Sequence, residues 1–194
     1  MTRQTTTFFR LLLIAIVLIS FAAIPTAQTL GRPEHFSANA IDINNGQTGR
    51  IEIHVTRWST PAERESLLTT LVKEGSQEHL EKLREMRPVG RISSPGSIGY
   101  DLKYAEQQKL PEGGRVIVVA TDRPMSFWEM IKQPRSADYP LTWAQLNMRP
   151  DNTGEGRLAV AARFFADRPN RPIEVEHFDI QPIRLQNVTA RADN

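Results

Sequence analysis

Asp122, Glu129 and Asp138 bracket one stretch of the chain, with Arg123 and Arg135 set among them. Two carboxylates that converge beside an arginine in a cleft can do general acid–base work, and hydrolysis is the reaction such a group would serve. The same residues also suit a plainer role. Asp122 and Asp138 can cap turns or pair with the arginines. Phe127 and Trp128 lie in the same stretch, and together with Arg123 and Arg135 they form the candidate ligand-binding set. Aromatic side chains dominate both cores and binding sites. A connection of this length between strands is often functional. The competing reading is a short helix over 126–132 that plugs one end of the fold.

Other constellations are thinner. His35, His54, His79 and His177 are never three or four residues apart, so no helical metal pair exists. His54 with Glu52, or Glu174 with Glu176, could each offer two ligands from one strand face. A solvated polar face explains both pairs more simply, so no metal and no cofactor is expected. His79, beside Leu80, reads as a helix-surface residue. There is no cysteine, which removes thiol catalysis, disulfides and Cys-based zinc sites. No Gly-x-Ser-x-Gly elbow, Gly-x-Gly-x-x-Gly or phosphate loop occurs. Asp151-Asn152-Thr153-Gly154-Glu155 resembles the start of a calcium loop but lacks the later ligands, and it reads as a hairpin turn. Trp58, Trp143 and Tyr139 are further aromatics for a pocket, with Trp143 the best core candidate.

The elements that must position these residues are mostly strands. Val116 to Ala120 is an unbroken apolar, β-branched run between Gly113-Gly114 and Pro124. It reads as a strand with both faces covered. Phe36, Ala38 and Ala40, then Asn44-Asn45-Gly46, then Ile51, Ile53 and Val55 make a hairpin. Thr60-Pro61-Ala62-Glu63 opens a helix with a capping box, and Leu67, Leu68, Leu71 and Val72 form its apolar stripe. Gly75 ends it. Ser76 can cap a second helix that buries Leu80, Leu83 and Met86. From Pro88 onward the pattern is β: Ile98, Tyr100, Leu102 and Tyr104 on one face, Leu141 to Met148, then Leu158, Val160, Ala162 and Phe164 on one face. Near Glu176-His177 the alternation slips, predicting a bulge or bend. Ile183 to Val188 is the last strand. The fold class is therefore mainly β: an antiparallel meander of about eight or nine strands closing into a barrel or a sandwich, with one helical hairpin, 61–86, after the second strand.

Residues 1–27 read as a signal peptide, with an uncleaved anchor as the alternative because Phe8 and Phe9 lengthen the apolar run. Arg3 and Arg10 are its charged region, Leu11 to Ile24 its apolar core, and Ala27 a small residue before the cut. Residues 28–194 form a single β-rich domain. The chain carries 24 Lys and Arg against 22 Asp and Glu, and the two extra cations are those of the leader. The remainder is balanced, so attraction to nucleic acid is not indicated. An exported protein in the periplasm or outside the cell, with no membrane span after cleavage, is the expectation.

Arg57-Trp58-Ser59-Thr60-Pro61-Ala62-Glu63-Arg64, Pro95-Gly96-Ser97-Ile98-Gly99-Tyr100-Asp101-Leu102, Ala120-Thr121-Asp122-Arg123-Pro124, Phe127-Trp128-Glu129 and Gln133-Pro134-Arg135 carry a resemblance. They are similar to an uncharacterised group of exported bacterial proteins with no assigned activity. The resemblance implies one domain and bacterial export, and it transfers no site residue. The function expected from the sequence is a non-enzymatic domain binding a small molecule, a glycan or an envelope protein. A carboxylate-dependent hydrolase and a structural envelope protein are the alternatives.

Overall fold

The structure, a computed structural model, describes residues 31–44, 46–125, 139–165, 174–177 and 181–193. Nine strands and two helices follow one another: β1 (Glu34–Asp42), β2 (Gln47–Val55), α1 (Pro61–Lys73), α2 (Ser76–Glu85), β3 (Gly90–Ser93), β4 (Tyr100–Lys109), β5 (Arg115–Thr121), β6 (Leu141–Met148), β7 (Thr153–Phe165), β8 (Glu174–His177) and β9 (Ile183–Ala192). All pairings are antiparallel. Strands β1 to β7 pair in sequence, β7 pairs with β9, and β9 returns to β1, so eight strands close a barrel. Closure leaves those eight without a free sheet edge at either end of the order. Of the two architectures compatible with the sequence, the fold is the barrel.

Strand β8 lies outside that ring of eight. It continues along the flank of β7 that β9 occupies lower down, with Ala162 opposite His177 and Leu158 opposite Ile183. The pairing of β8 with β7 is regular through Glu176 and His177, and the residues just after, where the expected slip would show, lie outside the described residues; Pro182, which has no N–H to donate, precedes β9.

The barrel interior is packed with side chains. Phe36, Ala38 and Ala40 of β1, Ile51, Ile53 and Val55 of β2, and Ile117 and Val119 of β5 all point inward and are buried. The alternation legible in the first hairpin is the alternation of the barrel wall. Trp58 closes the core near one end, donating its indole N–H to the Arg32 carbonyl at 2.9 Å. Also near the wall, Glu34 and Arg115 form a two-pronged ion pair at 2.7 and 2.5 Å, with Gln107 as a third partner.

The helical hairpin is built as its sequence dictates. Thr60 accepts from the Glu63 N–H at 3.2 Å, and Glu63 takes the Thr60 N–H at 2.7 Å, completing the capping box. Gly75 sits at φ 103, a conformation only glycine adopts without strain, and lets the chain reverse. Ser76 departs from expectation. It is the first residue of α2 rather than its cap, and its hydroxyl instead donates to the Phe164 carbonyl at 2.7 Å, pinning the helix to β7. No helix among the described residues is long and apolar enough to cross a membrane.

Candidate functional site

Two irregularities in the barrel wall decide where the helical hairpin meets the barrel. In β4, Leu102 pairs with Thr121 and Tyr104 with the adjacent Ala120, so Lys103 is one residue extra. Such a bulge reverses the facing of everything after it. Leu102 and Ala105 point into the core, while Tyr104 points out, contrary to the single face expected for Ile98, Tyr100, Leu102 and Tyr104. Ile98 precedes the strand and is 86% exposed. In β7 the steps differ again: Leu141 opposes Ala162 but Trp143 opposes Ala159. Leu158 and Val160 therefore face the interior, while Ala162 and Phe164 face outward, splitting what the sequence presents as one face.

Tyr104, Trp143 and Phe164 so form an outer aromatic layer, and the hairpin covers it. Leu67, Leu83 and Met86 pack there with Leu141, Ala159, Ala162 and Val175. The covering is incomplete. A cavity of about 240 Å³ remains between Leu67, Leu68 and Leu71 of α1, His79 and Leu83 of α2, the barrel residues Tyr104, Val118, Ala120, Trp143 and Phe164, and Val175 of β8. This also explains the unbroken run of β5: Ile117 and Val119 serve the interior, and Val118 and Ala120 line the cavity.

One corner of the cavity is polar. Tyr104 donates its hydroxyl to Glu106 at 2.6 Å, and Arg64 donates Nε to the same carboxylate at 3.1 Å. Burial, reinforced by the hydrogen bond to Glu106, pushes the Tyr104 phenol well above its usual range, so it stays a neutral donor. His79 is 6% exposed, not the helix-surface residue its neighbours imply. Its Nδ1 lies 3.0 Å from the Leu67 carbonyl and its ring meets Phe164 edge-on at 5.6 Å. Burial holds the imidazole below its ordinary titration range, against the pull of that carbonyl. A second cavity of about 350 Å³, more polar, shares His79 and Phe164 with the first and adds Arg84 and Arg163.

The candidates drawn from the sequence lie elsewhere. Asp122 is buried just past β5, and Arg123 donates Nε to it at 3.0 Å, an arrangement that raises the guanidinium's affinity for its proton. Lys103 Nζ stands 3.9 Å from the other Asp122 oxygen and also donates to the Arg84 and Met86 carbonyls at the end of α2. Asp122 is thus part of a brace between barrel and helix. Phe127, Trp128, Glu129, Arg135 and Asp138, with the helix considered for 126–132, lie outside the described residues. Trp58 is core. Tyr139 lies 5.5 Å beneath the Arg163 guanidinium, and Trp143 lines the cavity with Arg157 6.0 Å above its ring. On β1 and β2, His35 bonds to Glu52 at 2.6 Å and stacks on His54 at 3.9 Å. Among the described residues no three His, Asp or Glu side chains come together as metal ligands.

Comparison with known protein families, with curated proteins and with solved structures finds no match to this chain.

Proposed function

We propose that the chain is an exported, non-catalytic binding domain that holds a small apolar molecule between the α1–α2 hairpin and the outer barrel wall. The observation that carries this reading is the cavity itself: about 240 Å³, walled mainly by apolar and aromatic side chains from both helices and five strands. A closed apolar cavity of roughly 150 Å³ is already enough to admit benzene. The space here suits a substituted ring or a short branched chain, and its lining is too apolar for a glycan. Export rests on the leader, with cleavage near Ala27 and function in the periplasm or outside the cell.

The test is a titration of the purified protein with toluene, read from the methyl NMR signals of Leu67, Leu71 and Val118. Saturable shifts confined to these groups support the reading. An Ala120→Phe variant, which fills the space from the β5 side, should stay folded by circular dichroism and lose the response. Shifts spread over the whole surface, or none at all, would sink it.

A further inference from the structure

We infer that the ligand is a small amphipathic acid, its apolar body held between the helical hairpin and the barrel and its carboxylate bound in the adjoining cavity by Arg84 and Arg163. The inference rests on the reading of the apolar cavity as a ligand site. The two cavities, about 240 and 350 Å³, adjoin at His79 and Phe164, which border both and meet edge-on at 5.6 Å. They differ in character. Leucines and aromatics dominate the first. The second carries two guanidinium groups, and no carboxylate is among the described residues that line it. A molecule lying across the seam would set an apolar part and an anionic part each against a wall that matches it.

The neutral donors of the second cavity are already committed, so the arginines decide what it takes. Ser76 gives its proton to the Phe164 carbonyl at 2.7 Å, and the Gln77 amide donates to Glu81 at 3.0 Å. Arg84 meets Glu81 through one contact at 2.9 Å, with both side chains about half exposed. A surface pair of this kind is worth little and gives way to a better-placed anion. Arg163 lies 5.5 Å over the Tyr139 ring, a contact that supplies no countercharge. The planar guanidinium fork matches a carboxylate, and two forks at one cavity favour it further. At the polar corner of the apolar cavity, by contrast, Arg64 is matched by Glu106, which also takes the Tyr104 proton. Selection for charge therefore falls to the second cavity.

The experiment compares hydrocinnamate, hydrocinnamyl alcohol and propylbenzene by calorimetry at neutral pH. They share a ring and a three-carbon chain and end in a carboxylate, a hydroxyl or a methyl group. The expected result is hydrocinnamate about tenfold tighter than the alcohol, the lower end for hydrogen bonds to a charged group. That advantage should shrink as salt rises from about 0.02 M to about 0.5 M. In Arg84→Gln the ratio of acid to alcohol affinity should fall severalfold. Independently of any variant's folding, the guanidinium Nε–H signals of Arg84 and Arg163 in the native protein should move with the acid and not with propylbenzene. Equal binding of acid and alcohol, unmoved arginine signals, or a ratio unchanged in Arg84→Gln overturns this inference and leaves the apolar site standing. Undiminished binding of the acid in Ala120→Phe overturns it too, since the arginines would then hold an anion without the apolar space. Failure of all three molecules to bind overturns the site itself.

Discussion

Lys103 Nζ lies 3.9 Å from Asp122 Oδ2, and both side chains are largely buried, 13% and 8% exposed. The same ammonium donates to two carbonyls at the end of α2, at 3.0 Å each. A cation there satisfies backbone acceptors that a helix end leaves open and opposes the negative end of its dipole. Lys103 is also the extra residue of the β4 bulge, so one insertion both turns Tyr104 outward and fastens the helix that covers it. Lys103→Met should cost about 2 kcal/mol in urea unfolding, since it strips two helix-end acceptors and leaves Asp122 with Arg123 alone. A loss below about 0.5 kcal/mol would mean that the brace carries no weight.

Leu71, 2% exposed, belongs to both the helix packing and the cavity wall. Leu71→Ala should destabilise the protein by about 2–4 kcal/mol, because the neighbouring space already prevents the wall from collapsing inward. It should also admit a larger ring, such as naphthalene, more tightly than the native cavity does. Unfolding and ligand titration on the same variant test both halves.

The buried imidazole gives a pH dependence with a definite sign. His79 has an ordinary value of 6.5 and its folded value is lowered. Below pH 6.5 the unfolded chain takes up a proton that the native chain refuses, so unfolding binds protons and stability falls as the pH drops through that window. Above it, the contribution is constant. The stability difference between pH 7.5 and pH 5.5 should therefore be smaller in His79→Phe than in the native protein. An unchanged difference would locate the sensitivity elsewhere. Glu52 and Glu63, both lowered from 4.5, contribute stability that is fully present above that value and lost only as the pH falls below it, outside this window.

Glu34 and Arg115 join the start of β1 to β5 by a two-pronged pair at 2.7 and 2.5 Å, with side chains 13% and 17% exposed. Arg115 also lies 5.9 Å over the Phe36 ring. Glu34→Ala strands a half-buried guanidinium and should cost about 2–3 kcal/mol. Removing both partners should cost clearly less than the sum of the two single losses. A double-mutant cycle by denaturation measures the coupling, and additive losses would show that the pair is only proximate.

The strand sequence, the first hairpin and the capped helical hairpin were legible because each obeys a local rule. Thr60 and Glu63 three apart make a capping box, Asn44 to Gly46 a turn, and Ile51, Ile53 and Val55 one face. The cavity was not legible, because it depends on two places where such rules are interrupted. Nothing in Leu102-Lys103-Tyr104 announces an extra residue; the bulge exists only relative to Thr121 and Ala120 across the sheet. Likewise Leu158 to Phe164 alternates cleanly in text, and only pairing with Leu141 and Trp143 divides it. His79 is hidden because, beside Leu80 on a largely polar helix, it reads as a surface residue. Its one sequence signal was position, since it is three residues after Ser76 and four before Leu83 on the helix's inward side. Barrel rather than sandwich likewise rested on β7 meeting β6 and β9 at once, a long-range fact.

The bulge in β4 also sets which kinds of genetic change this surface can absorb. Tyr104 faces outward because of a count of residues, not because of any side chain at position 103. Substituting Lys103 leaves that count intact, so the aromatic layer survives even as the brace is lost. Deleting Lys103, or inserting one residue beside it, moves Tyr104 to the other side of the wall while leaving nearly the whole composition of the protein unchanged. The outer wall is thus encoded in chain length, and the lesions most damaging to it are single-codon insertions and deletions rather than missense changes.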